Sequence, residues 1–439
     1  MTEKTQAEVC SSSDALTYSL KTSVDFEVVM SFASLHADRK EIRGLGQNRE
    51  RPILQRIALL LLFCLTAWTP GKGKAVSEPA AGLFSGIVPE VSALAEAQGK
   101  TELTEDEAIR RIKELTEAQI QSAYKSGQRP ALRDAHAKQH GCVRAEFTVP
   151  ASLPATMRQG VFAEAHTFHA WIRFSNAVGS DDQTGLARGM AIKLLGVPGR
   201  KILPDEADAA TQDFLLVNYP VFNVRTAADY VDFLTKSNAG QLPLFFRAHP
   251  ESERITAAIA SQPAGNPLRQ RYFSMTPYAL GSSNVKYSAK PVSCTTGATL
   301  QDDGGKTHSG GPNYLRAAMT TSLAAGSSCF LFMVQRQTDP ATMPIDDSTV
   351  VWSEDLSPFV KVASITIPPQ RFDSPEQQAF CENLSYTPWH ALPAHQPLGT
   401  INRVRRVVYD ATSSLRHRLN GVPRREPSGD ERFPGSPTW

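Results

Sequence analysis

The chain has 439 residues, of which 41% are hydrophobic, and it can therefore bury the core of one large domain or two modest ones. Its 46 basic and 44 acidic side chains give a formal net charge of +2, a balance that gives no reason to expect a nucleic-acid partner. Charged residues make up 21% of the chain, which is typical of a soluble globular protein.

One apolar segment, IALLLLFCLTAW at 57–68, stands out in the first hundred residues. Its twelve residues are too few for a membrane-spanning helix, which needs about 20. Arginines precede it and small residues follow at 75–77, so we interpret 1–77 as a leader with a signal-peptide-like or anchor segment. A start at Met30 stays open. We expect a periplasmic or exported protein, which this segment could also anchor to the membrane. The alternative interpretation of the segment is a buried helix of the fold, and the alternative location of the protein is the cytoplasm.

The next stretch, 78–103, is rich in Ala, Gly, Pro and Ser and is interpreted as a linker. At 104–107 the sequence TEDE predicts a capping box, in which Thr104 and Glu107 each satisfy a free N–H of the other residue. Apolar residues then recur at near-helical spacing, and acidic residues cluster at the positive end of the helix dipole. We therefore predict an amphipathic helix over 104–126.

From residue 141 onward the hydrophobic pattern changes to period two, which is typical of strands. The predicted strands lie at 142–149, 168–175, 190–197, 213–218, 284–289, 329–336 and 362–368. Helices are predicted at 226–237 and 403–420, and a polar, solvated tail at 421–439. Seven or eight strands without regular βαβ alternation predict an α+β fold, with an antiparallel barrel or sandwich and added helices.

The chain has six cysteines, none of them in a C-x-x-C or C-x-x-C-H motif, which excludes a zinc ribbon and a covalent c-type haem site. Four of the six lie in the predicted folded part, too few for a disulfide scaffold in a domain of this size. Export would allow one bridge, whose two partners the sequence does not identify.

Four segments, in order along the chain, carry a family resemblance. They are RDAHAKQHG at 133–141, IRFSNAVGSDDQTGLARGMAIKLLGV at 172–197, DFLLVNYPVFNVRTAADY at 213–230 and RVRRVVYDATSSLRHR at 403–418. They resemble segments of the haem catalase superfamily, and especially of its short, catalase-related proteins, which lack the C-terminal helical domain. The resemblance implies a catalase-like antiparallel β-barrel core with surrounding helices and long loops over 104–420, with haem b as the cofactor.

The resemblance also implies that one haem lies between His136 and Tyr409. Tyr409 matches the iron ligand, and Arg405, one helical turn earlier, would keep this phenol ionised although a free phenol titrates near pH ~10. His136 matches the histidine that exchanges protons with peroxide, a role that suits a neutral imidazole near pH 7. Ser175 matches the serine that orients that ring. Zinc binding by HAKQH is disfavoured because a zincin helix has Glu where this chain has Ala137.

The remaining implied residues hold the substrate and the cofactor. Asn218 is the candidate amide donor to peroxide, although an ungapped match places the family's asparagine at Val217, so a one-residue bulge would be required. The arginines that match propionate-binding positions are Arg133, Arg173 and Arg416, since guanidinium groups suit carboxylates. Tyr230 falls where the family has a phenylalanine stacked on the porphyrin, and His140 is expected at the surface or behind the site.

Three functions are compatible with the sequence. The first is haem-dependent disproportionation of hydrogen peroxide. The second is turnover of organic or lipid hydroperoxides, or peroxidase activity with an external electron donor, on the same scaffold. The third is haem binding with little turnover, which the presence of His136 disfavours. Only 30 residues follow Tyr409 in the chain of 439, so the haem is expected to be more open than in full-length catalases. Assembly into a homo-oligomer stays open.

Overall fold

The computed structural model describes residues 103–179, 181–183, 187–262, 265–301 and 310–436. All of them belong to one of the two units into which the chain divides, Ala97–Trp439. The predicted signal-peptide-like segment at 57–68 lies outside the described residues. None of the helices in the described part is long and apolar enough to cross a membrane.

Eight antiparallel strands form a closed barrel. They are β1 (Lys138–Val149), β2 (His166–Asn176), β3 (Arg188–Leu195), β4 (Thr211–Val217), β5 (Tyr272–Phe273), β7 (Ser283–Val292), β8 (Ser328–Arg336) and β9 (Val360–Ile367). Neighbours in the sheet run β5-β4-β3-β2-β1-β9-β8-β7, and β5 pairs again with β7 to close the ring. The short strand β6 (Tyr278–Leu280) pairs with β7 outside the ring. The predicted α+β class with an antiparallel barrel is confirmed.

Alternating apolar residues fill the interior of the barrel. Along β1, Val143, Ala145 and Phe147 are fully buried and point inward. The Phe147 ring lies 5.0 Å from that of Phe332, which in turn lies 4.9 Å from that of Phe214. Each buried ring contributes roughly 1.5–3 kcal/mol through the hydrophobic effect. Because the interior is a packed core, a ligand site on this barrel must lie on its outer face.

Seven α-helices surround the barrel within the described residues. They are α1 (Glu105–Lys125), α2 (Ala227–Asn238), α3 (Leu242–Ala248), α4 (Pro250–Ala260), α5 (Tyr314–Ala325), α6 (Pro375–Asn383) and α7 (Thr400–Asn420). The predicted capping box of α1 is present, with Thr104 and Glu107 bonded in both directions. Helices α1, α2 and α7 pack together through one apolar cluster that includes Ile112, Val231 and Val408, and this packing holds α7 in place.

Two disulfide bonds link distant parts of the chain, where the sequence suggested at most one. Cys142 on β1 is bonded to Cys381 on α6, and Cys294 is bonded to Cys329 on β8. The first bridge joins residues 239 positions apart and ties α6 to the barrel. Period-two and period-3.6 patterns contain no information about such pairings.

The C-terminal segment is not the solvated tail that its charges suggested, since 421–436 folds back over the barrel. Glu426 accepts hydrogen bonds from Lys193 Nζ and Thr211 Oγ1, both at 2.6 Å. The Phe433 ring lies 5.1 Å from that of Phe380 and 5.9 Å from that of Trp171. The segment therefore covers part of the outer surface of β2 and β3.

Candidate active site

A cavity lies between the outer face of β2, β3 and β4 and the helix α7. It holds about 780 Å³ of empty space, part of it open to solvent. Its walls are formed by Arg133, Asp134, Ala135, His136, Arg173, Ser175, Gly189, Met190, Ala191, Leu215, Leu216, Val217, Met275, Ser385, Tyr386, Arg405, Tyr409, Thr412, Ser413 and Arg416. Seven of the nine site residues predicted from the sequence are among them.

Strand register explains the barrel side of the cavity. Phe174 and Ile172 point into the core of the barrel, so their neighbours Arg173 and Ser175 point outward. The pairing Ser175↔Gly189 continues as Gly189↔Val217 on the next strand. Polar and small residues from three adjacent strands thus meet at one place on the outer face.

His136 is held at this place by its backbone. Its φ angle of 57° is in the left-handed region, which is uncommon for a residue other than glycine. Its N–H donates to the carbonyl of Ala177 at 2.8 Å, and its own carbonyl accepts from Arg173 Nη2 at 2.8 Å. Both partners are at the end of β2, so the sheet fixes the direction in which the imidazole leaves the chain.

Two neighbours position the imidazole ring itself. Ser175 Oγ lies 3.1 Å from His136 Nδ1, as the resemblance implied. A Cβ placed on Gly189 would lie 2.5 Å from the same nitrogen and 2.8 Å from Ser175 Oγ, so only glycine leaves room for the pair. With Nδ1 next to the serine hydroxyl, Nε2 is the nitrogen available to a molecule in the cavity.

The His136 ring is neutral at physiological pH. Burial, followed by the positive charges of Arg173 and Arg405, lowers its pKa to about 3. Burial disfavours the charged imidazolium and the guanidinium groups repel it, so both effects act in the same direction. A neutral imidazole can accept a proton, which is what a general base requires.

Tyr409 contributes a phenol to the same cavity from α7. Arg405 lies one turn earlier, with its guanidinium carbon 6.0 Å from the centroid of the Tyr409 ring. Arg405 Nη1 donates to Thr276 Oγ1 at 3.1 Å and to Asn402 Oδ1 at 3.2 Å. Because these acceptors are neutral, they fix the guanidinium without cancelling its charge.

Two of the other three arginines of the cavity share one carboxylate. Glu382, on α6, accepts from Arg133 Nη1 at 2.7 Å and from Arg416 Nη2 at 3.1 Å. Arg173 donates to the carbonyl of His136 and has no carboxylate partner among the described residues. Burial, followed by the charge of Arg133, lowers the pKa of both Arg173 and Arg416 to about 9. The cavity is therefore electropositive.

Asn218 is not at the cavity. Its Oδ1 accepts from the Arg188 N–H at 2.7 Å, and its Nδ2 donates to Gln270 Oε1 at 2.9 Å. Pairing between β3 and β4 runs without a register shift up to Gly189↔Val217, so the required bulge is absent. The side chain that faces the cavity here is that of Val217, and the prediction that Asn218 holds the peroxide is corrected.

Tyr230 also differs from its predicted place. Its ring packs against those of Phe222 and Phe233, at 5.5 and 6.3 Å, between α2 and its neighbours, and it is not part of the cavity wall. His140 is buried rather than exposed, and its Nε2 lies 2.9 Å from Asn176 Oδ1. The two histidines of the HAKQH segment, His136 and His140, therefore have different partners.

The sequence did not identify several residues of the site. Glu382 forms ion pairs with residues up to 249 positions away, a separation that no local pattern reports. Tyr386 follows it closely and is part of the cavity wall. Gly189 could have been found, because it lies in the RGMA segment that the resemblance already included. Asp134 is next to Arg133 in the first motif, and burial raises the pKa of its carboxyl group.

The residues of the cavity fit haem b, the cofactor implied by the resemblance. Arg173 Nε, Arg416 Nε and the Tyr386 hydroxyl are buried donors with no acceptor among the described residues. Arg133, Arg173, Arg405 and Arg416 supply four positive charges against the carboxyl groups of Glu382 and Asp134. The surplus of at least two positive charges suits a ligand with two carboxylates.

Comparisons with solved structures show a catalase-like fold. The chain is similar to a fungal catalase, with a TM-score of 0.51 and 17% identity, over 68% of this chain and 62% of that one. It is also similar to a bacterial catalase (0.51, 15%, 92% and 73%) and to catalase A from Saccharomyces cerevisiae (0.51, 14%, 81% and 70%). No protein-family model and no curated protein matches the chain. At these identities the likeness establishes the fold alone.

Proposed function

We propose that this protein is a haem-dependent enzyme that decomposes peroxides, with haem b bound between His136 and Tyr409. The observation that carries this proposal is that one cavity contains three features: a neutral imidazole oriented by a serine, a phenol next to a guanidinium that has no carboxylate partner among the described residues, and an electropositive wall. These groups come from separate parts of the chain. A packed core would have filled the space between them with apolar side chains.

In this proposal the protein binds and orients the reactants, and it moves one proton. Tyr409 would bind the iron through its phenol oxygen, and Arg133, Arg173 and Arg416 would hold the two carboxylates of the cofactor. His136 Nε2 would accept a proton from the peroxide and return it to the leaving oxygen. Ser175 keeps the ring oriented throughout. Haem b, when bound, supplies the redox chemistry of O–O cleavage.

Hydrogen peroxide and organic hydroperoxides are both candidate substrates. Val217 occupies the position where the resemblance implied an amide donor, and Leu215 and Met275 are further apolar parts of the wall. An apolar wall has no hydrogen bond to offer a second peroxide oxygen, but it can bury an alkyl group. This favours turnover of organic or lipid hydroperoxides, with an external electron donor, as the second candidate function.

The purified, haem-loaded protein tests the proposal. Oxygen evolution from hydrogen peroxide reports the first function, and consumption of a fatty-acid hydroperoxide reports the second. A His136→Ala variant should keep the haem absorption spectrum and lose turnover, while the exposed His166→Ala control should behave as wild type. Unchanged turnover in His136→Ala would refute the assigned base. If the protein binds haem but turns over neither peroxide, haem binding with little turnover would be the remaining function.

The iron ligand has its own spectroscopic test. Tyr409→Phe removes the phenolate oxygen but keeps the ring, so the ferric absorption spectrum should change and haem affinity should fall. Tyr124→Phe is the matched control, because the Tyr124 hydroxyl bonds the carbonyl of Leu419 and is not at the cavity. A Tyr409→Phe variant with an unchanged ferric spectrum would exclude Tyr409 as the ligand.

We also propose that the protein is exported to an oxidising compartment. The support is that two disulfides lie within the described residues, and such bonds are rare in reducing cytoplasm. Fractionation of cells expressing the full chain checks this, with N-terminal sequencing of the isolated protein. If the protein is recovered only from the cytoplasm, with residues 57–68 still attached, the proposed export would be contradicted.

A further inference from the structure

Tyr386 is a buried phenol of the cavity wall that the proposed chemistry does not use. Its hydroxyl is buried and has no hydrogen-bond partner among the described residues, and the same is true of Arg173 Nε. A buried polar group left without a partner destabilises a fold by roughly 1–3 kcal/mol. Two such donors at one cavity therefore indicate a position for an acceptor.

The protein fixes the Tyr386 ring in its place. The ring packs against the buried cluster of Trp171, Leu195 and the Cys142–Cys381 bridge, behind the cavity. Lys193 Nζ lies 5.4 Å from the ring centroid on the same side of the barrel. Burial raises the pKa of the Tyr386 hydroxyl, so this group stays protonated and acts as a donor. The hydroxyl is thus a pre-positioned donor rather than a mobile surface group.

The charges identify which arginine lacks a counterion. Glu382 already neutralises part of the positive charge of Arg133 and Arg416. Within the part of the chain that the structure describes, Arg173 has only the backbone carbonyl of His136 as its partner, and its side chain is buried. An anion next to Arg173 would restore its charge balance, and a carboxylate has two oxygens, one for Arg173 Nε and one for a second donor.

We propose that Tyr386 is a cofactor-binding residue, whose hydroxyl together with Arg173 Nε binds one carboxylate of haem b. The inference rests on the proposed function and goes beyond it by adding a neutral donor to the arginine set. The carboxylate of a fatty-acid hydroperoxide offers the same chemistry, so the test must distinguish cofactor from substrate. The other carboxylate of the cofactor is left to Arg133 and Arg416.

The first experiment titrates the apoprotein with haemin and with its dimethyl ester, which has no free carboxylates. Affinity is read from the absorption change and from quenching of tryptophan fluorescence, so no turnover is needed. Tyr386→Phe should weaken haemin binding roughly tenfold or more, the effect of one hydrogen bond to a charged group. The same variant should bind the dimethyl ester as wild type does. The control Tyr124→Phe should leave both affinities unchanged.

Several outcomes overturn the proposal. Unchanged haemin affinity in Tyr386→Phe would exclude the hydrogen bond, and equal weakening for haemin and its ester would show that the hydroxyl acts only through packing. If Tyr386→Phe instead raises the KM of a fatty-acid hydroperoxide but not of its methyl ester, and haemin affinity is unchanged, the carboxylate belongs to the substrate. A wild-type protein that binds neither haemin nor its ester would refute the proposed function as well, which is a distinguishable result.

Discussion

Gly189 is the position where one added methyl group tests the geometry of the site most directly. A Cβ at this residue would lie 2.5 Å from His136 Nδ1, 2.7 Å from His136 Cε1 and 2.8 Å from Ser175 Oγ. Carbon and nitrogen in ordinary contact are about 3.5 Å apart, so in Gly189→Ala the ring must move by about 1 Å. The open side of the ring is the cavity, and we expect it to move there.

The loss in Gly189→Ala should therefore appear in function more than in stability. Because the ring can move into open space, the overpacking should lower the free energy of unfolding by only about 1 kcal/mol, at the low end for an added methyl group. The same movement breaks the 3.1 Å contact with Ser175 and misplaces the base. A 1 Å misplacement of a catalytic group lowers turnover on the order of 10²-fold.

The assay compares peroxide turnover at equal haem content, together with the melting temperature, in wild type and two variants. Gly311→Ala is the matched control, because a Cβ there would meet nothing within 4 Å. We expect wild-type turnover in Gly311→Ala and about 1% of it in Gly189→Ala. Turnover within twofold of wild type in Gly189→Ala, while His136→Ala is inactive, would refute the placement of the ring against β3.

Three further predictions concern the parts of the fold that support the site. Phe433→Ala should lower the free energy of unfolding by about 2 kcal/mol, because its half-buried ring holds the C-terminal segment, and a denaturant titration measures this. Burial acts to raise the pKa of Glu206, but the hydrogen bond from His390 and the charge of Arg424 outweigh it and lower that pKa to about 2. A lowered pKa means that Glu206 contributes stability above its ordinary pKa of 4.5, and that this contribution, about 3 kcal/mol, is lost as the pH falls from about 4.5 to about 2. The stability difference between wild type and Glu206→Gln should therefore shrink over this range, and a constant difference would contradict the assignment. Replacing Cys142 and Cys381 together by serine should destabilise the protein by about 2–5 kcal/mol, measured by thermal unfolding, since the bridge closes a loop of 239 residues.

The strands and the longest helices follow from local patterns, which explains why they could be predicted. Period-two alternation located seven of the nine strands, and the two that were missed, β5 and β6, have only two and three residues. Such short strands cannot show a period. Four of the seven helices, α3 to α6, were also missed. Among them, α6 was missed although Ser374 caps it and Pro375 is its first residue, because its apolar face is weak. The barrel closes because β5 pairs with both β4 and β7. No single segment of the sequence predicts this pairing.

Motif resemblance predicted the parts of the site that are local in sequence, and it was wrong where tertiary register decides. His136 and Ser175 lie together as expected. Asn218 was wrong because the ladder between β3 and β4 is regular, which turns the Asn218 side chain away from the cavity. Glu382 and Tyr386 lie in a stretch without a motif, and their role depends on a fold that brings α6 next to α7. Ion pairs between residues so far apart in the sequence can be identified only from the folded structure.

The ion pairs that Glu382 forms have a consequence for the order in which the protein matures. Four clustered guanidinium groups would repel one another in an empty pocket, but an internal carboxylate already bridges two of them. If the protein binds haem as proposed, the polypeptide can therefore reach its native shape before the haem binds. If the protein is also exported as proposed, haem would bind after export, and the apoprotein should be a stable species that can be isolated.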